Sequence, residues 1–192
     1  MSATKRLAGK TIVVGVTGGI AASKVAQLVT GLCKLGADVH VVMTASAIHF
    51  VQPLTFRALS QNPVITDMWD AQNVYDEPHV YLGERADLYA IAPVTAHTIA
   101  KLALGLADDI VTALALATRA PVLLAPAMSD AMYEHPTTQE HLQTLRRRGY
   151  RTIGPDVGRL ASGKEAIGRM SEPEAIVDEI CAILETENPS TR

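Results

Sequence analysis

The run Thr11-Ile12-Val13-Val14-Gly15-Val16, followed almost at once by Gly18-Gly19, constrains the fold more than any other stretch. It is largely β-branched and apolar on both faces, so it reads as a strand covered on both sides. Gly18-Gly19 breaks it. Over residues 20–35 apolar side chains recur at helical spacing until Gly36, which suits a helix C-terminus. Residues 39–43 are strand-like again. Strand, glycine turn, helix, strand is a βαβ unit, which implies a parallel sheet and a right-handed crossover.

The rhythm continues along the chain. Residues 87–92 read as a strand ending at Pro93, and 96–104 and 108–117 as helices. Residues 121–125 form a further strand, ending at Pro126. A helix over 137–148, a strand over 150–153 and a helix over 173–184, with proline in its first turn, complete the pattern. Alternation of this kind predicts one three-layer α/β domain. The length of 192 residues suits a single core, and 48% hydrophobic against 19% charged residues excludes a disordered chain. The expected division is a domain over 1–185 and a flexible polar tail over 186–192. A net charge of −3 leaves no basic footprint for nucleic acid or an anionic membrane. No apolar run is long enough to span a bilayer, and MSATKRLAGK has no apolar leader segment. Cys33 and Cys181 match no metal spacing and lie in helix-like segments, so reduced, buried thiols and a cytoplasmic location are expected.

In a parallel sheet, ligands bind at the carboxyl ends of the strands. Four stretches lie there: residues 17–21, 44–46, 93–98 and 126–133. The first, GVTGGIA, is not G-x-G-x-x-G, because Thr17 stands where the second glycine would be. It is either a phosphate cradle of backbone N–H groups or a plain tight turn. The second, Thr44-Ala45-Ser46, has hydroxyls and no acid for a ribose, which argues against a dinucleotide and for a mononucleotide with one phosphate, such as FMN. The third and fourth, PVTAHT and PAMSDAMY, pair proline with small residues that let a flat ring approach the backbone. Met128 and Met132 are spaced to pack on such a ring or to serve as ordinary core. Residues 158–164 fit G-x-x-x-x-G-K, yet Glu165 stands where a nucleotide phosphate loop needs Ser or Thr for magnesium, and the stretch comes after the last strand. A mobile glycine-rich loop that closes over a ligand is expected there.

These segments carry a resemblance over nearly the whole chain. GVTGGIAASK, VVMTASAIHFV, HVYLGERADLYAIAPVTAHTIAKLALGLADD, LLAPAMSDAMYEHPTTQEHLQTLRRRG and GPDVGRLASGKEAIGRMSEPEAI are similar, in this order, to the homo-oligomeric flavin-containing cysteine decarboxylases. They most resemble the phosphopantothenoylcysteine decarboxylases of coenzyme A biosynthesis. The resemblance implies a flavodoxin-like (Rossmann-like) α/β fold with FMN between subunits of a homotrimer. It implies that Gly18, Gly19 and Ile20, with Thr44, Ala45 and Ser46, hold the cofactor phosphate, and that Phe50 also binds the cofactor. Pro93, Thr95, Ala96, His97, Thr98, Ala127 and Met128 then border the flavin ring. His79 and Ser162 take the catalytic positions, and Ser129, Met132, Gly163 and Lys164 the substrate positions. No metal is implied. The implied substrate is a small cysteinyl carboxylate, 4′-phosphopantothenoylcysteine, and a phosphopantothenoylcysteine synthetase is the implied partner. A flavin is required because a cysteinyl carboxylate has no electron sink until the carbon bearing sulfur is oxidised.

The sequence departs from the family pattern at several of these positions. Where the family reads P-x-S-A-N-T, Thr95 replaces Ser and His97 replaces Asn. Where it reads P-x-M-N-x-x-M-W, Ser129 replaces the Asn that grips the substrate carboxylate, and Tyr133 replaces Trp. In the flap, Ser162 replaces the Cys of A-C-G, the proton donor for the final reduction. These changes leave three readings: the full coenzyme A reaction, oxidative decarboxylation of a peptide C-terminal cysteine to an enethiol, and a non-catalytic FMN-binding regulatory subunit.

Overall fold

The computed structural model describes residues 5–187. Its central sheet has six parallel strands: β1 (Thr11–Val16), β2 (Asp38–Met43), β3 (Val64–Ile65), β4 (Leu88–Val94), β5 (Val122–Pro126) and β6 (Arg151–Thr152). Their order is β3-β2-β1-β4-β5-β6. The helices are α1 (Val25–Lys34), α2 (Pro53–Ser60), α3 (Pro78–Arg85), α4 (Ala96–Leu104), α5 (Ile110–Ala117), α6 (Asp130–Glu134), α7 (Pro136–Arg147) and α8 (Pro173–Glu187). Two more strands, β7 (Asp156–Arg159) and β8 (Glu165–Arg169), pair antiparallel outside the sheet.

The pleat divides the core in two. Ile12, Val14 and Val16 face one apolar cluster with residues of α1, α2 and α8, while Val13 faces another with residues of α3, α4, α5 and α7. All seven residues of β4 are buried. Each fully buried Val, Leu or Ile contributes about 1.5–3 kcal/mol relative to exposure, which fixes the strands that carry the site. This is the three-layer α/β, flavodoxin-like architecture expected from the sequence. From β1 the chain steps outward to β2 and β3, then returns to place β4 on the other side of β1. The carboxyl ends of β1 and β4 therefore flank the point where strand order reverses, the preferred binding crevice of such sheets.

Several elements differ from expectation. The helix read over 20–35 begins as a 3₁₀ turn, Ile20–Lys24, in which the Ala22 N–H reaches back three residues to the Gly19 carbonyl at 2.9 Å. Strand β4 does not stop at Pro93; a register shift between Ile91 and Val94 accommodates the proline, which has no N–H to offer the ladder. Residues 158–170 were expected to be a mobile loop and instead form most of the β7–β8 hairpin. The tail expected from 186 starts inside α8, where Thr186 Oγ1 donates to the Ile183 carbonyl at 2.8 Å. Residues 188–192 of that tail, and residues 1–4 of the stretch read as lacking a leader, lie outside the described residues. Cys33 is half-buried and Cys181 buried, and both are free thiols.

Candidate active site

Thr17 ties the two strand ends together. Its Oγ1 donates to the Pro93 carbonyl at 2.7 Å and accepts from the Thr95 N–H at 3.1 Å. The Gly18-Gly19 turn is thereby pinned beside Thr95. Gly18 has no room for a side chain: an added Cβ would collide with the Ser46 side chain. That close approach brings the ends of β1 and β2 together. No side chain caps the 3₁₀ turn at Ile20–Lys24, so its leading N–H groups stay available to an anion. Thr44 continues the same edge, its N–H donating to the Val16 carbonyl at 3.0 Å.

A cavity of about 500 Å³ opens beside this turn. Gly18, Gly19, Ile20 and Thr95 form one wall; Ala127, Met128, Ser129 and Met132 form the floor after β5. The hairpin forms the opposite wall through Arg159, Leu160, Ala161 and Ser162, with Gly168, Arg169 and Met170 at its base. The lining thus combines apolar groups, hydroxyls and cations, with no carboxylate. Thr95 caps α4, its Oγ1 accepting from the Thr98 N–H at 3.3 Å. Ser129 caps α6 in the same way, accepting from the Met132 N–H at 3.4 Å.

The hairpin is seated on this floor by named contacts. The Met128 N–H donates to the Gly168 carbonyl at 3.0 Å. Gly168 has φ +135°, and a Cβ there would strike the Met128 carbonyl oxygen. At the tip, the Leu160 N–H donates to the Lys164 carbonyl at 2.8 Å, and Gly163 turns the chain at φ +86°. The Lys164 ammonium pairs with the Asp130 carboxylate at the start of α6. This contact raises the Lys164 pKa and lowers that of Asp130, chiefly through the hydrogen bond between them. Below the tip, Lys24 Nζ donates to both oxygens of Glu172 at 3.0 Å, and Arg169 Nη2 pairs with Glu172 at 3.3 Å.

Of the residues named from sequence, Gly18, Gly19, Ile20, Thr95, Ala127, Met128, Ser129, Met132 and Ser162 line the cavity. Ser46 lies against Gly18 but outside the cavity lining. Thr44, Ala45 and Phe50 are outside the lining as well, and Ala45 and Phe50 are exposed. Pro93 serves through its carbonyl, and Thr98 is buried as the capping partner of Thr95. Ala96 and His97 sit on the first turn of α4 outside the lining, as Gly163 and Lys164 sit at the hairpin tip. His79 lies on the first turn of α3, is half-buried, and is not on the wall of the cavity. Its Nδ1 is buried with no hydrogen-bond partner among the described residues. The sequence reading missed Ala21, Ser23 and Lys24, which follow the glycine turn, and Arg159, Leu160, Ala161, Gly168, Arg169 and Met170 in the hairpin. The signal for them was the segments already singled out: each lies within one, unassigned.

Residues 1–185 match the family model described as Flavoprotein. The chain belongs to the Flavoprotein family. It is 48% identical over 171 residues to the coenzyme A biosynthesis bifunctional protein CoaBC of Vibrio cholerae, a match covering 89% of this chain and 43% of that protein. The CoaBC protein of Bacillus subtilis is 45% identical over the same number of residues, 171, and 42% of it is covered. The chain therefore spans less than half the length of these relatives. Among solved structures, a PPC decarboxylase carrying a Cys-to-Ser mutation, in complex with pantothenoylaminoethenethiol, is similar with a TM-score of 0.84. The two are 32% identical, and the match covers 92% of this chain and 98% of that one. The FMN binding protein AtHal3 is similar with a TM-score of 0.82 at 31% identity, covering 93% of this chain and 98% of that one. The FMN-dependent cysteine decarboxylase SpaF is similar with a TM-score of 0.79 at 30% identity, covering 93% and 97%. As a Flavoprotein family member, the chain has its cavity at the strand-order switch, between the glycine turn and a Cys-less hairpin.

Proposed function

We propose that the chain binds FMN in this cavity and decarboxylates a cysteinyl carboxylate, converting 4′-phosphopantothenoylcysteine to 4′-phosphopantetheine. The observation that carries the reading is the pairing of two walls. A glycine turn too close to Ser46 to bear a side chain stands on one side, and a hairpin bearing Ser162 stands on the other. The residues fit the cofactor: backbone N–H groups and Ser46 suit a phosphate, and Thr95, Ala127 and Met128 leave room for a flat ring. Bound there, the flavin supplies reversible hydride exchange with the carbon that bears sulfur, creating the electron sink that loss of CO2 requires.

The chain's own residues bind, orient and handle protons. Ser129 and the start of α6 hold the substrate carboxylate where the family pattern has Asn. Met132, Leu160 and Met170 exclude water from the reacting carbons. Ser162 passes a proton to the product carbon from water, because a hydroxyl is a far weaker acid than a thiol of pKa about 8.5. Lys164 positions the tip through Asp130 and holds its own proton more tightly for that pairing, which makes it a poor donor. His79 acts on the thiol proton. Its absence from the cavity of its own chain supports a homotrimer in which His79 reaches the cavity of a neighbouring copy. The relatives' name, bifunctional coenzyme A biosynthesis protein, supports a synthetase partner that supplies the substrate. Among the described residues no helix is long and apolar enough to cross a membrane, in keeping with the proposed cytoplasmic location.

The hydroxyl at Ser162 favours a second reading, in which the reaction stops at the enethiol. Complementation tests the assembly of the site. His79→Asn protein should release no CO2 from 4′-phosphopantothenoylcysteine, nor should Gly18→Val protein. Unfolding and reassembling the two together should restore part of the activity. No restoration in a verified mixed trimer would contradict a site shared between copies, and CO2 release by His79→Asn alone at the wild-type rate would contradict the role of His79.

A further inference from the structure

Three cationic side chains line the cavity: Lys24, Arg159 and Arg169. Two are already engaged. Lys24 gives both of its short contacts to Glu172, and Arg169 shares that carboxylate. The Arg169 Nε–H is buried against Gly158, where an added Cβ would come within 2.8 Å of it. Arg159 is different. It ends β7 beside the hairpin turn and is exposed, and its side chain makes no hydrogen bond or ion pair among the described residues. Glu165 is its cross-strand neighbour, yet the two form no ion pair. A guanidinium without a counter-ion, on the wall of a cavity without carboxylates, selects an anionic ligand, and its planar fork of donors matches a phosphate.

We infer that Arg159 is a specificity-determining residue that takes the terminal phosphate monoester of the substrate. The identity of that substrate rests on the decarboxylase reading. FMN carries the same chemical group, but the cofactor phosphate is assigned to the turn at residues 18–20 and Ser46, on the sheet. Arg159 stands on the hairpin wall with Ser162, on the other side of the cavity from that turn, so a phosphate it holds belongs to the substrate and not to the cofactor. A peptide ending in cysteine offers no such group, and Arg159 therefore favours the phosphorylated small molecule over a peptide.

The test uses the FMN-loaded protein with 4′-phosphopantothenate and pantothenate, which differ only in the phosphate and lack the reacting cysteine. Calorimetric titration should show the phosphorylated compound binding about tenfold or more tightly, the scale of a charge-assisted contact. Arg159→Gln should remove most of that ratio, and Arg159→Lys should recover part of it. An unchanged ratio in Arg159→Gln overturns the proposal, as does a wild-type protein that does not discriminate. Loss of flavin in Arg159→Gln also overturns it, because the phosphate would then be the cofactor's. Discrimination that depends on Arg159, in a protein that never decarboxylates 4′-phosphopantothenoylcysteine, overturns the decarboxylase reading and leaves the phosphate site standing.

Discussion

The two walls of the cavity are built by different rules. The sheet-side wall hangs from strands whose residues are buried on both faces, and Thr17 locks its β1 and β4 ends together through backbone groups. The hairpin wall alternates between half-buried and exposed along β7. It is seated by one backbone hydrogen bond to Met128 and by ion pairs at Asp130 and Glu172. Local opening is cheapest where few apolar contacts are lost. The sheet wall suits a ligand that stays, and the hairpin suits one that comes and goes.

The largest expected effect breaks the sheet wall. Gly18→Val drives a side chain into Ser46 and should abolish flavin retention while the protein still folds, read as flavin absorbance after desalting. Full flavin content in that variant would move the cofactor elsewhere. Next is the base of the hairpin. Gly168→Ala places a Cβ against the Met128 carbonyl at a φ that L-residues rarely adopt. Flavin should remain, while kcat/KM falls on the order of 10²-fold through misplacement of Ser162. Loss of flavin and activity together would erase the distinction between the walls.

The difference between the walls also explains what could be read from sequence. β1, the glycine turn and the prolines near the ends of β4 and β5 are local signals, so the parallel sheet and the positions of Gly18, Thr95 and Met128 were legible. The hairpin was not. Its strands are short and carry Gly158 and Gly168 rather than a β-branched run, and it is seated through Met128, Asp130 and Glu172, the first two distant in sequence. The G-x-x-x-x-G-K pattern spans the end of β7 and its turn, so a glycine-rich loop was expected where an antiparallel pair forms. Helices α2 and α3, each 8 residues long, were missed for a similar reason. With so few turns, periodicity is weak, and Pro53 and Pro78 at their starts look like breakers until the helix is seen to begin there.

Smaller effects sharpen the comparison. Ser162→Cys supplies the hairpin with a stronger acid and should raise the rate of saturated product formation several-fold, measured by product chromatography; an unchanged rate would remove Ser162 from the proton path. Asp130→Asn frees the Lys164 latch and should raise KM only a few-fold, because the Lys164 end of the pair is exposed and screened. The pH dependence follows from the two shifts. The lowered Asp130 pKa means its share of the latch is present above the ordinary carboxylate range and lost only as pH falls through the lowered value. The raised Lys164 pKa means its share is present below the ordinary lysine range and lost only as pH rises through the raised value. The Asp130-dependent ratio of KM values should therefore be flat from about pH 5 to pH 9, and a slope inside that window would show that another group holds the tip.

The most direct measurement is the mass of the product formed when the FMN-loaded protein meets 4′-phosphopantothenoylcysteine. The account predicts loss of CO2 alone, the saturated thiol, with the flavin returned to its oxidised form. Loss of CO2 together with two hydrogens would show a reaction halted at the enethiol and contradict a working proton path through Ser162. An unchanged substrate mass would contradict the assignment of this cavity to cysteinyl decarboxylation.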